Sequence, residues 1–146
     1  MMDSAVMEFD EILRQSNFAI DYEITESNFN STVKPIAYRN ISRIDAATKP
    51  LYLVWNVITP IVNAADDKTN DMDIDIALAF YANNPWIYNQ TSPSTDTAAF
   101  KLLLQKLEER GWTIEPGSEY PEIANEGSAV YAHRKDYIIT KNFIRR

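Results

Sequence analysis

The segment Met72-Asp-Ile-Asp-Ile-Ala-Leu-Ala-Phe80 constrains the fold of this chain more than any other. Met72, Ile74, Ile76, Leu78 and Phe80 alternate strictly with Asp73, Asp75, Ala77 and Ala79. Successive strand side chains point to opposite faces, so this spacing puts all the large apolar groups on one side. A helix would scatter them around its circumference. The run Leu51-Tyr-Leu-Val-Trp-Asn-Val-Ile-Thr59 precedes it, opened by Pro50 and rich in β-branched and aromatic residues. It is apolar on nearly both faces, the pattern of a strand covered on two sides. Residues 60–71 between them are polar and turn-like, so residues 50–59 and 72–82 are expected to form an antiparallel hairpin with a long connection.

Helices are expected on either side of this hairpin. Val6, Phe9, Ile12 and Leu13 share one helical face over about residues 4–16, with Asp3 or Ser4 as cap and Asn17 as stop. A second helix is expected at about 93–110, capped by Ser92 or Ser94, with Pro93 at its first position. Ala99, Phe100, Leu103 and Leu107 form its stripe, and Gly111 stands at its C′ position. Residues 18–25 alternate as a strand with Phe18, Ile20, Tyr22 and Ile24 on one face. Residues 26–35 read as a polar loop, 36–44 as a short strand and 83–94 as a loop. Trp112–Glu115 predicts a short strand before a Pro116-Gly117 turn. One or two last strands follow near 128–133 and 137–140, and residues 141–146 read as a loose basic tail. The sum is an α+β fold: an antiparallel β-sheet with both helices packed on one face, in a single domain over residues 1–146.

Several kinds of chemistry are missing from the residue inventory. The absence of cysteine excludes a disulfide framework, a thiolate metal site and a cysteine nucleophile. Three glycines, at 111, 117 and 127, make no phosphate-binding loop or dinucleotide fingerprint. One histidine, His133, cannot form a two-histidine metal site within the chain, and no serine lies in a nucleophile-elbow context. Fourteen Lys+Arg against 21 Asp+Glu give a net charge of −7, a field that repels phosphate and argues against nucleic acid as a partner. No apolar run is long enough for a membrane span, and the first residues lack the pattern of a signal peptide. No catalytic residue, cofactor or resident metal is expected.

Two local features invite function. Asp66, Asp67, Asp71, Asp73 and Asp75 form an acidic cluster that could hold a hard divalent cation in a binding module or a small metal-dependent enzyme. The spacing Asp71-x-Asp73-x-Asp75 matches the start of an EF-hand loop, but the sixth position is Ile76 and the twelfth Ala82, where that loop needs Gly and Glu. The competing reading is a solvated or subunit-facing strand face with turn-forming Asp at its start. The other feature is the pair Trp86 and Tyr88 between Pro85 and Pro93, either partner-binding aromatics, as in a host-interaction module, or rings folded back on the domain.

The stretch from Pro50 to Tyr81 also resembles tail-completion proteins of long-tailed bacteriophages, the tail-terminator-like subunits that join head and tail or cap the tail tube. The residues that carry the likeness are Pro50, Tyr52 and Trp55 in the first strand, Asn63, Ala65, Asp66, Asp67 and Lys68 in the turn, and Tyr81 closing the second strand. Weaker similarity runs on through Gly111-Trp112 and Glu119-Tyr120, so that roughly residues 49–140 are covered. The resemblance implies a small α+β structural protein of the virion, without catalytic residues and assembled in the bacterial cytoplasm. It implies a homo-oligomeric ring, commonly of six subunits, that meets the tail tube or the head–tail connector. The expected subunit contacts are Asn63, Asp66, Asp67, Lys68 and Asp71 on the hairpin connection, with Trp86 and Tyr88 beyond it.

Overall fold

The computed structural model of the chain describes residues 2–41, 48–58, 61–62, 71–89, 94–123 and 130–144. Within them the fold is α+β. Helix α1 (Met2–Gln15) leads into β1 (Ala19–Ile20), β2 (Ile36–Arg39), β3 (Leu51–Val57), β4 (Ile61–Val62) and β5 (Asp71–Ala82). Helix α2 (Thr95–Glu109), β6 (Thr113–Ile123) and β7 (Val130–Ile144) complete it. The strands form a seven-stranded sheet in the order β1-β2-β3-β5-β7-β6, with β4 also pairing β5.

The expected hairpin is present. β3 and β5 are antiparallel in a continuous register from Leu51↔Ala82 to Val57↔Ile76. Ile74, Ile76, Leu78 and Phe80 are buried on one face, as their alternation requires. Both helices feed the same core cluster. Phe9 of α1 meets Trp55 edge-on at 4.7 Å, and Phe100 of α2 meets Phe80 at 4.9 Å. Leu78 stands opposite Trp55 in the register, so Trp55 and Phe80 point to the same side of the sheet.

The helix ends follow local chemistry. Asn17 adopts a left-handed backbone (φ 66°) after α1, and Gly111 does so (φ 88°) after α2, each supplying the conformation that closes a helix. The cap of α2 is Ser94, whose Oγ accepts from Thr97 N at 3.0 Å. Pro93 therefore precedes the cap instead of opening the helix. Helix α1 begins at Met2, so Asp3 and Ser4 lie inside it.

Four expectations need correction. The sheet is mixed, because β1–β2 and β2–β3 are parallel. Parallel neighbours need a return connection, which the polar stretches after β1 and after β2 provide. The strand expected over 18–25 stops at Ile20. Asp21 turns the chain into a 3-10 turn, its carboxylate accepting from Tyr22 N and Arg39 N, and Tyr22 is left exposed. The local side-chain bonds of Asp21 outcompete a ladder that has only one short neighbour. Pro116-Gly117 does not turn the chain. It makes a bulge inside the long strand β6, with a register shift between Pro116 and Glu119. A Cβ on Gly117 would stand 3.2 Å from Asp136 Cβ and Asp136 O, so glycine lets β6 close on β7 there. Last, β7 is one strand of 15 residues, and Lys141–Ile144 belong to it instead of to a loose tail. Lys141 Nζ donates to Glu8 Oε1 at 2.8 Å and to Arg110 O at 2.7 Å, tying β7 to α1 and to the C-terminal end of α2. Arg145 and Arg146 lie outside the described residues.

The two faces of the sheet differ in what a deletion costs. Phe80→Ala removes a ring packed on Phe100 and Tyr137 and is expected to cost about 3–5 kcal/mol of unfolding free energy. Ile138→Ala, on the opposite face at 40% exposure, is expected to cost under about 0.5 kcal/mol. Urea denaturation of the two variants, with unchanged m-values, checks the contrast.

Candidate functional site: an unfinished sheet face and an exposed tryptophan

The face of the sheet opposite the helices is finished at one end only. There Phe29, Ile36, Tyr38 and Tyr52 are buried together, with Tyr81 packed against them. Tyr52 and Tyr81 stack at 4.8 Å with ring planes 6° apart. Phe29 arrives from the polar loop between β1 and β2, where Lys49 donates to Phe29 O at 2.6 Å and Thr32 O at 2.9 Å. A sequence rich in Asn, Ser and Thr thus carries one large apolar residue that closes half of this face.

The other half stays open. A hollow of about 440 Å³ lies over Ala77 and Ala79, flanked by Val54, Tyr81 and Ile138. Ala77 stands opposite Ile138 and Ala79 opposite Asp136 in the β5–β7 register. The floor is low because alanines occupy positions where a half-buried strand usually carries branched or aromatic side chains. Asn56, Ser118, Arg134 and Asp136 supply its polar rim. The charged pair on that rim, like the polar pairs farther along the same face, is hydrogen-bonded across or along the strands. Thr140 Oγ1 donates to Asp75 Oδ1 at 2.6 Å, Asn142 Nδ2 donates to Asp73 Oδ1 at 2.8 Å, and Arg134 Nε donates to Asp136 Oδ1 at 2.7 Å. The Arg134 guanidinium also lies over the rings of Tyr81 (5.4 Å) and Tyr120 (5.6 Å).

The acidic cluster is divided by the fold. Asp73 and Asp75 are cross-strand partners of Asn142 and Thr140. Asp71 opens β5, opposite Ile144. Asn63, Asp66, Asp67 and Lys68 lie outside the described residues. Among the described residues, no three of His, Cys, Asp and Glu converge as metal ligands do.

Trp86 and Tyr88 share a 3-10 turn (Pro85–Tyr88) and have opposite environments. Tyr88 is buried, packed on Phe100 at 5.3 Å, and its hydroxyl donates to His133 O at 2.6 Å. Burial pushes its pKa well above the usual tyrosine range, with Glu119 the next contributor. Trp86 is 65% exposed. The turn beneath it is held firmly. Asn84 Oδ1 accepts from Trp86 N at 2.8 Å, and Thr97 Oγ1 donates to Ile87 O at 2.7 Å. Trp86 borders a shallow cleft of about 310 Å³ with Tyr88, Asn89, Glu119 and Lys135. Lys135 Nζ sits 3.9 Å from Glu119 and within 5.6–5.8 Å of the rings of Tyr88, Phe100 and Tyr137. His133 is part of β7, opposite Ala82, and contributes its carbonyl to Tyr88.

Trp86 follows one end of β5, and Asp71 opens the other. β5 runs 12 residues from Asp71 to Ala82, which separates its two ends by roughly 35 Å at the usual strand rise. The open hollow, with Ala77, Ala79, Arg134, Asp136 and Ile138, was not among the expected contact residues. Its signal was the pair of alanines inside the best-patterned strand, small residues on the face left over once the apolar one was assigned.

No family model matches this chain, and no curated protein matches it.

Tyr88 ties stability to alkaline pH. Its folded pKa lies above the unfolded value of about 10, so above that pH the unfolded chain loses a proton that the native state keeps. The contribution of this group is therefore constant below about pH 10 and is lost above it, by up to about 1.4 kcal/mol per pH unit. Tyr88→Phe is expected to flatten that slope by one proton while costing about 1 kcal/mol at pH 7 through the lost hydrogen bond to His133 O. Denaturation between pH 7 and 11 measures both. Because Asp73 and Asp75 are already hydrogen-bonded, adding Ca²⁺, Mg²⁺ or Mn²⁺ is expected to leave the melting temperature unchanged; a rise that saturates with concentration is the contrary result.

Proposed function

We propose that this chain is a structural, non-enzymatic subunit of a phage virion, a tail-completion or head–tail joining protein that works as a ring at the end of the tail. The observation that carries the reading is the unfinished sheet face. Its charged side chains, Arg134 and Asp136, are paired with each other, and the apolar groups of Ala77, Ala79 and Ile138 remain open to solvent beside them. A surface of that composition has little to bind a small charged substrate with, whereas it loses water readily to another protein surface. The exposed Trp86 on a fixed turn supports the same reading, because large rigid rings dominate binding energy at protein interfaces.

The resemblance of the hairpin segment to tail-completion proteins supplies the class of assembly. Its partners on this reading are further copies of the chain and the proteins of the tail tube or connector. The place of action is the virion, built in the host cytoplasm. On this reading Asn63, Asp66, Asp67 and Lys68, which the resemblance names as contact residues, meet a second ring or the tube.

Native mass spectrometry and sedimentation velocity test the reading, on the chain alone and with purified tail tubes. The expected result is a closed ring, six subunits being the number the resemblance implies, either free or on the tube end. A strictly monomeric mass under both conditions overturns it.

A further inference from the structure

We propose that Trp86 of one copy seats in the hollow over Ala77, Ala79 and Ile138 of the next copy, so that the ring is closed by a head-to-tail contact. This deepens the assembly reading above and rests on it. The two features cannot satisfy each other within one chain. Trp86 borders the cleft formed with Lys135 and Glu119, and Lys135 stands opposite Phe80 in the register, on the helix-bearing side. The hollow is on the other side, bounded by the residues that alternate with these, Arg134 and Asp136.

A knob and a hollow on different faces make a heterologous contact. Repetition of such a contact closes into a ring when the rotation permits, whereas an isologous contact stops at two copies. The hollow, at about 440 Å³, has room for an aromatic side chain between Ile138, Val54 and Tyr81, above the small Ala77 and Ala79.

Charge selects a second copy for these two surfaces. The chain carries −7 overall, so copies repel over most orientations. At the Trp86 cleft Glu119 is matched by Lys135, and at the hollow Asp136 is matched by Arg134. Both surfaces are locally neutral, and copies approaching through them escape the repulsion. When docked, the two acid–base pairs can also exchange partners across the interface, Arg134 toward Glu119 and Lys135 toward Asp136. Arg134 already lies over the rings of Tyr81 and Tyr120, which places a cation beside the hollow for the face of an incoming indole.

The absence of cysteine makes a clean test possible. Pro85→Cys marks the knob beside an intact Trp86, and Ser118→Cys marks the rim of the hollow; both positions are exposed. With a short bis-maleimide, a mixture of the two variants is expected to give a covalent dimer that neither variant gives alone, and the double variant a ladder ending at the ring. Cross-linking by either variant alone, or none from the mixture while the wild type is a ring, overturns the contact and leaves the assembly reading standing. A wild type that stays monomeric even on tail tubes removes the assembly reading and this contact with it. In parallel, Trp86→Ala is expected to weaken self-association by roughly 30-fold or more, as for a central interface anchor. Measured at a concentration where the copies are dissociated, its melting temperature should be unchanged because the indole is exposed in the single chain; unchanged association overturns the proposal.

Discussion

The structure depends on the position of β5. It pairs with β7 along its full length, from Asp71↔Ile144 to Ala82↔His133, and with β3 over its second half. Ile74, Ile76, Leu78 and Phe80 face the two helices, and Asp73, Asp75, Ala77 and Ala79 face the other way. A slip of one residue would send Ile74, Ile76, Leu78 and Phe80 to the open face and bury Asp73 and Asp75, so this register has no close competitor. Helix α2 reads that register through Phe100 on Phe80, and α1 reads it through Phe9 on Trp55, the residue opposite Leu78. The Lys141 clasp then joins the far end of β7 to Glu8 and to the last turn of α2, where a cation also meets the negative end of the helix.

Features with a local cause were legible in the residues alone. The alternation of β5, the stripe of α2, the left-handed Gly111 and the hairpin pairing need only neighbours in sequence or one adjacent strand. Features set by distant partners were not. β6 looked like four residues because Pro116 and Gly117 carry turn chemistry, but the long edge of β7 keeps the strand going through them as a bulge. The end of β7 looked like a solvated basic tail because Lys141 resembles any surface lysine until Glu8 and the Arg110 carbonyl, far away in sequence, are placed beside it. The alternation of 18–25 pointed to a longer strand than forms, since its outer half has no partner to outbid the hydrogen bonds of Asp21.

The site divides along the same line. Trp86 and Tyr88 stand two residues apart in a loop with the same local signals. Their fates differ because Tyr88 finds a carbonyl at His133 and a ring at Phe100, contacts that only the folded sheet brings near. The hollow was half legible. Ala77 and Ala79 are visibly small in a strand of large residues, but Ile138, Asp136 and Arg134 become its walls only through the β5–β7 register.

How copies of such a domain can meet is limited by its edges as well as its faces. Edge strands are the usual route by which sheets join, and among the described residues the outer strands β1 and β6 both obstruct it. β1 is two residues long. β6 carries Pro116 and Pro121, which offer no N–H, a bulge that interrupts its line, and the acidic Glu115 and Glu119. Two β6 edges brought together would set carboxylates against carboxylates and leave carbonyls without donors. With ladder extension blocked and a net charge of −7 opposing casual contact, what remains is association through surfaces that are apolar, locally neutral and already satisfied in hydrogen bonds. The hollow over Ala77 and Ala79 and the rim around Trp86 both meet that description. They lie on opposite sides of one sheet, so a contact that joins one to the other is heterologous and repeats from copy to copy, closing only where the rotation between copies permits.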